Sequence, residues 1–266
     1  MKNRILAKMS GIISSGIFPL LIVMTRRSQQ YFKGVSVPLT DTPAPFYEQK
    51  TMRRGTIYRL TTGGPRKGPG KARRMAKTLE QVQTELGDCK RCELCETRTT
   101  IVFGVGNPRA EVLLIGEAPG RQEDLGAEPF IGAAGKYLNE LLAIAGLERK
   151  DVYIANILKC RPPGNADPLP HQIEACTPFL REQVRAIEPL ILVTLGRFSS
   201  QFILKTDTGI SHLRGKVHLT GRYSVLPIFH PAAAIYDQSK RPLLEHDFAL
   251  LKLLIEKRHE ELGSRA

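Results

Sequence analysis

Four of the five cysteines fall at Cys89-x2-Cys92-x67-Cys160-x15-Cys176. Four thiolates in such a set can take a [4Fe–4S] cluster or a Zn²⁺ ion; zinc ribbons use two tight C-x2-C pairs, and here the second pair is wide. Cys95 is left as a spare, although Cys89, Cys92 and Cys95 alone form a ferredoxin-like C-x2-C-x2-C run. Five cysteines are too few, and odd in number, to staple a secreted chain of 266 residues. Reduced, ligating thiols and a cytoplasmic protein are therefore expected.

A second constellation combines groups of different chemistry. Glu117 follows the apolar run Val112 to Gly116, Asn156 lies in VYIANIL (152–158), and His230 with Pro231 closes SVLPIF (224–229). A carboxylate, an amide and an imidazole are three polar groups of different chemistry. The segment GEAPGRQEDLGAEPFIGAAGK (116–136) adds glycines that let a flat ligand approach the backbone and an aromatic face at Phe130. It is not a phosphate loop, because neither G-x-x-x-x-G-K-[ST] nor G-x-G-x-x-G is present, and Glu117, Glu123 and Asp124 would repel phosphate. The other histidines, His171, His212, His218, His246 and His259, lie in helical or surface contexts.

These residues need a scaffold that brings strand ends together. Apolar runs at 111–115, 152–158, 190–195 and 224–229 alternate with helical patterns at 134–146, 171–187 and 197–204, and a terminal helix runs from about Leu243 to Leu262. A shorter helix is expected from Thr78 to Leu86. Strands separated by helices predict an α/β fold, a three-layer α/β/α sandwich around a central, mostly parallel sheet of four strands. Ligands of such sheets bind at the carboxyl ends of the strands, where Glu117, Asn156 and His230 converge.

The charge is distributed unevenly. The chain carries a net charge of +13, but residues 1–77 hold 16 Lys/Arg and 2 Asp/Glu, which leaves 23 and 24 in residues 78–266. The sequence thus divides into a basic N-terminal extension, expected to be disordered (1–77), and a folded domain (78–266). Within the extension, TTGGPRKGPGKARR (61–74) is a cationic tract suited to attracting a polyanion or to acting as a solubilising linker. The apolar stretch Met9 to Met24 follows Lys2, Arg4 and Lys8; it is short for a membrane span, contains Pro19 and lacks an A-x-A site. It reads as a weak targeting segment or as sequence translated from an early start, and no membrane association is expected.

Five ordered motifs carry a family resemblance: Cys89-x2-Cys92 followed by Arg98-Thr99 and Val102-Phe-Gly104; GEAPG (116–120) with its continuation; VYIANILKCRPP (152–163); Cys176; and Phe229-His230-Pro231-Ala232. Together, over roughly residues 78–260, they resemble the type-4, iron–sulfur uracil-DNA glycosylases. The resemblance implies a monomeric DNA-repair hydrolase that releases uracil from single- or double-stranded DNA and leaves an abasic site. It also implies a [4Fe–4S] cluster on Cys89, Cys92, Cys160 and Cys176. The catalytic set would be Glu117, Asn156 and His230, and the base pocket would be formed by Gly116, Glu117, Ala118, Phe130 and Asn156, with the Glu123/Asp124 region excluding thymine.

Two departures from the pattern stand out. Better-known uracil glycosylases carry an Asp where this chain has Ala118, so Glu117, Glu123 or Asp124 would assist water, Glu117 being favoured. A bulky wedge region follows His-Pro-Ala in type-4 relatives, whereas this chain reads AAIYD (233–237), leaving Ile235 or Tyr236 to fill the space of a flipped base. Arg214 and Lys216 in Ser211–Lys216 are expected either to contact phosphate or to sit on a solvated hairpin. A rival from another class is a non-catalytic, polymerase-associated iron–sulfur DNA-binding module.

Overall fold

The computed structural model describes residues 47–52, 55–60 and 76–263. The apolar stretch at 9–24 and the cationic tract at 61–74 lie outside these residues. Strands β1 (Tyr47–Met52) and β2 (Gly55–Leu60) pair antiparallel from Tyr47↔Leu60 to Met52↔Gly55, within a stretch whose sequence shows no sustained period.

From residue 76 the elements run α1 (Leu79–Leu86), α2 (Leu94–Thr97), β3 (Val105–Gly106), β4 (Val112–Gly116), α3 (Arg121–Gly126), α4 (Ala133–Ile144) and β5 (Tyr153–Asn156). They continue with α5 (Pro170–Ile187), β6 (Ile191–Leu195), α6 (Arg197–Leu204), α7 (Ile210–Leu213), β7 (His218–Thr220), β8 (Tyr223–Ile228), α8 (Ala233–Tyr236) and α9 (Arg241–Gly263). Thr78 starts α1 with a capping box, its hydroxyl accepting from the Gln81 amide while the Gln81 side chain accepts from the Thr78 amide.

The sheet has six strands, in the order β3-β5-β4-β6-β8-β7, rather than the four expected. β5, β4, β6 and β8 are parallel, and β3 and β7 are antiparallel margins. At two and three residues, the margins are too short to show a period-2 pattern. The four central strands are apolar on both faces and β4 is buried throughout, as strands covered by helices on each side must be. Val112 and Leu114 pack toward α4 and α9, against Leu138, Leu141, Leu244 and Phe248. Leu113 and Ile115 point the other way, toward Leu180 of α5 and Phe198 of α6.

Strand order determines where a ligand can sit. From β4 the chain crosses to β5 on one side, and from β6 to β8 on the other. The carboxyl ends of β4 and β6 therefore flank a crevice that no connection fills.

Candidate active site

A cavity of about 300 Å³ opens at this crevice, lined among others by Glu117, Ala118, Glu123, Phe130, Asn156 and His230. Gly116 ends β4 opposite Asn156 in register. A Cβ on Gly116 would lie 2.8 and 2.9 Å from two Phe130 ring carbons and would also strike Asn156 Oδ1. Only hydrogen fits there, so the glycine lets amide and ring close on the strand end.

Asn156 is 2% exposed, and its Oδ1 has no hydrogen-bond partner. A buried amide oxygen left unpaired costs on the order of 1–3 kcal/mol, which a ligand donor would relieve. His230 stacks on Phe130 with ring centroids 5.3 Å apart and planes 25° from parallel. Its Nδ1 accepts from the Ala232 amide at 3.2 Å, which places the proton of the neutral ring on Nε2. Burial pushes the imidazole pKa down to about 4, with Glu123 pulling weakly the other way, so the ring is a neutral donor at pH 7.

Phe130 holds a left-handed backbone conformation, φ +57°, unusual for an aromatic residue. Arg149 clamps it from one side, donating to the carbonyls of Phe130 at 3.1 Å and Pro129 at 2.8 Å. From the other side Glu123 Oε1 accepts from the Ile131 amide at 3.1 Å and the Gly132 amide at 2.9 Å, just where α4 begins. Glu123 thus caps the helix and holds the aromatic turn while its side chain lines the cavity.

Glu117 is partly buried at the mouth. Burial raises its carboxyl pKa to about 7; neighbouring Asp167 adds to the rise and Arg197 opposes it. Arg197 and Asp167 are themselves paired at 2.8 Å. The sequence did not single out this pair, nor Asn165 and Ala166, which together with Pro162 of the 152–163 motif wall the cavity from the loop after Cys160. Arg197 follows Gly196 at the end of β6, so the strand-end rule points to it as it does to the other three strands.

Two expected roles are corrected. Asp124 does not line the cavity: it is 3% exposed, and its carboxylate accepts from the Thr99 amide at 2.9 Å and the Thr100 amide at 3.2 Å, tying α3 to the preceding loop. Arg214 is not a free phosphate contact either. Its guanidinium meets the fully buried carboxylate of Asp247 at 2.6 and 3.0 Å and donates to the Leu243 carbonyl at 2.7 Å. The Ser211–Lys216 segment is α7 and its turn rather than a hairpin, with Lys216 exposed. Ile235 and Tyr236 lie on α8, 44% and 90% exposed, just past His230.

On the far side of β5, Cys89, Cys92, Cys160 and Cys176 line a single small cavity, whereas Cys95 is not among its lining residues. Arg98 Nη1 donates to Cys160 Sγ at 3.4 Å and the Lys159 amide donates to Cys176 Sγ at 3.2 Å. Burial pushes the Cys160 thiol up to about 11, against the pull of Arg98. Four thiols around one cavity, with N–H donors aimed at two sulfurs, have the donor chemistry that fits an iron–sulfur cluster; among the described residues no group of three or more His, Cys, Asp or Glu is gathered closely enough to hold a metal ion.

Comparison with known proteins follows the same lines. The family model of the uracil DNA glycosylase superfamily matches residues 103–253. The type-4 uracil-DNA glycosylase of Archaeoglobus fulgidus is 46% identical over 194 residues, which cover 70% of this chain and 98% of that protein. Those of Sulfurisphaera tokodaii and Saccharolobus solfataricus are each 43% identical, over 66% and 65% of this chain and 84% and 85% of theirs. On these matches the chain belongs to the uracil DNA glycosylase superfamily, among its type-4 members.

Proposed function

We propose that the protein hydrolyses the N-glycosidic bond of uracil in DNA, leaving an abasic site without strand cleavage. The observation that carries this reading is the unpartnered, buried Asn156 amide facing the same cavity as a neutral His230. A flipped uracil offers N3–H to Asn156 Oδ1 and accepts from the amide nitrogen at O4, whereas cytosine presents the reverse pattern and leaves the amide unsatisfied. Phe130 and Glu123 bound the pocket, and Glu123, held by two backbone amides, is placed to crowd a C5 methyl.

As the C1′–N1 bond breaks, its electron pair moves to uracil and negative charge builds at O2. The Nε2–H of His230 stabilises that charge, a contribution on the order of 3 kcal/mol. Glu117, poised near pH 7, accepts a proton from the water whose oxygen bonds to C1′. Beyond the pocket, Ile235 and Tyr236 fill the vacated stack and Lys216 contacts phosphate; residues 1–77 add salt-sensitive, non-specific attraction.

Cys89, Cys92, Cys160 and Cys176 would hold a [4Fe–4S] cluster. When bound, the cluster supplies a covalent cross-link between the 89–92 segment, Cys160 and Cys176 of α5; three residues of the loop between Cys160 and α5 wall the cavity.

Purified protein should release uracil from a single-stranded U-containing oligonucleotide, and N156A and H230A should each slow release at least a hundredfold. A non-catalytic DNA-binding module would show no release and DNA affinity indifferent to N156A, which would refute the reading.

A further inference from the structure

Lys159 is fully buried, 0% exposed, between the uracil cavity and the cysteine cage. Its ammonium donates to the main-chain carbonyl of Asn156 at 2.9 Å and to Gln183 Oε1 at 2.7 Å. Its own amide donates to Cys176 Sγ at 3.2 Å, and its carbonyl accepts from the Val102 amide at 2.8 Å. Gln183, also 0% exposed, passes the chain of hydrogen bonds on to the Phe103 carbonyl at 2.9 Å. Among the described residues no carboxylate pairs with this ammonium.

A buried, carboxylate-free ammonium costs several kcal/mol, and a methionine of similar volume would pack the same space without that cost. What the ammonium provides is a fixed point. It holds the carbonyl of Asn156, whose side-chain oxygen stands unpartnered in the cavity, while the backbone amide of Lys159 itself donates to a cage sulfur. We propose that Lys159 is a positioning residue that holds the Asn156 amide in its uracil-reading orientation and ties that orientation to the cysteine cage. The proposal rests on the assignment of Asn156 as the reader of uracil.

The test is a double-mutant cycle on the full-length, iron-loaded protein, comparing wild type, K159M, N156A and K159M/N156A. Each is measured for single-turnover uracil release, KM for DNA, iron content and visible absorbance. If N156A releases uracil as fast as wild type, the functional reading itself falls. If N156A is slow, K159M should lower kcat about 10- to 100-fold, the range for residues that orient a functional group, with KM and iron content unchanged. Added to N156A, K159M should then cost less than about twofold, because two residues acting through one contact are not additive. Equal losses in both backgrounds, or a loss of rate in proportion to lost iron, would overturn the proposal. K159R, which keeps a cation and its donors, should fall between wild type and K159M; where K159M does not fold, the K159R cycle decides by the same criteria.

Discussion

Replacing Gly116 with alanine tests whether the cavity works by close approach. The new methyl would stand 2.8 and 2.9 Å from Phe130 ring carbons and inside contact distance of Asn156 Oδ1. Real carbon contacts begin near 3.4 Å, so one partner must move by roughly half an ångström to an ångström. The strand cannot yield, because β4 is paired on both sides, to β5 and β6. Phe130 is fixed by Arg149 and by its contact with His230, which leaves the Asn156 amide as the group displaced. Overpacking of this kind costs about 1–3 kcal/mol of stability. A misplacement approaching 1 Å at a reacting or reading group costs on the order of a hundredfold in rate. G116A should therefore remain folded at 25 °C with full iron content while single-turnover uracil release falls about a hundredfold. Thermal melting and an oligonucleotide release assay, run on the same preparation, separate the two effects. A G116A protein within threefold of wild type would show that Asn156 and Phe130 do not act from the positions seen here.

The acid limb of kcat/KM should fall tenfold per pH unit below about 7, since Glu117 is deprotonated, and able to accept a proton, only above its raised pKa; E117Q should be slow and lack that limb, and a wild-type profile flat to pH 5 would exclude Glu117 as base. His230, neutral above about 4, adds no break in this range. R214A strips the buried Asp247 carboxylate of its partner and should cost about 3 kcal/mol, a drop in Tm on the order of 10 °C, with the salt dependence of DNA affinity unchanged. K216A should do the reverse, reducing the slope of log affinity against log salt by about 1 without affecting Tm. Ile235→Ala with Tyr236→Ala should slow release from duplex DNA on the order of tenfold while sparing single strands, where no stack is left to fill; equal effects on both substrates would remove α8 from that role.

The parallel strands were legible because each is a continuous apolar run, and the strand-end rule then located Glu117, Asn156 and His230 from position alone. Whole-family motifs supplied the cysteine set. What stayed hidden depends on how the elements meet in the fold. Arg214 looks like any surface arginine until Asp247, on α9, is seen beneath it. Asp124, next to Glu123 in the same acidic run, turns inward because α3 rotates successive side chains by about 100°. Lys159 reads as a charged residue in a motif, and only the fold shows it shielded from solvent between two functional groups. The margins β3 and β7 escaped because pairing, not composition, makes them strands.

Those margins bear on the protein outside its chemistry. The four central strands are the kind of apolar, β-branched segments that template growth onto one another when an edge is left open. β3 covers one side with two residues ending in Gly106, and β7 covers the other with three before Gly221 turns the chain back. Each is reversed relative to its neighbour, and each is too short to recruit a further strand along its length. Lengthening either, or removing its turn glycine, would turn a sealed sheet into one able to add strands from a second molecule, with loss of solubility appearing before any loss of uracil recognition.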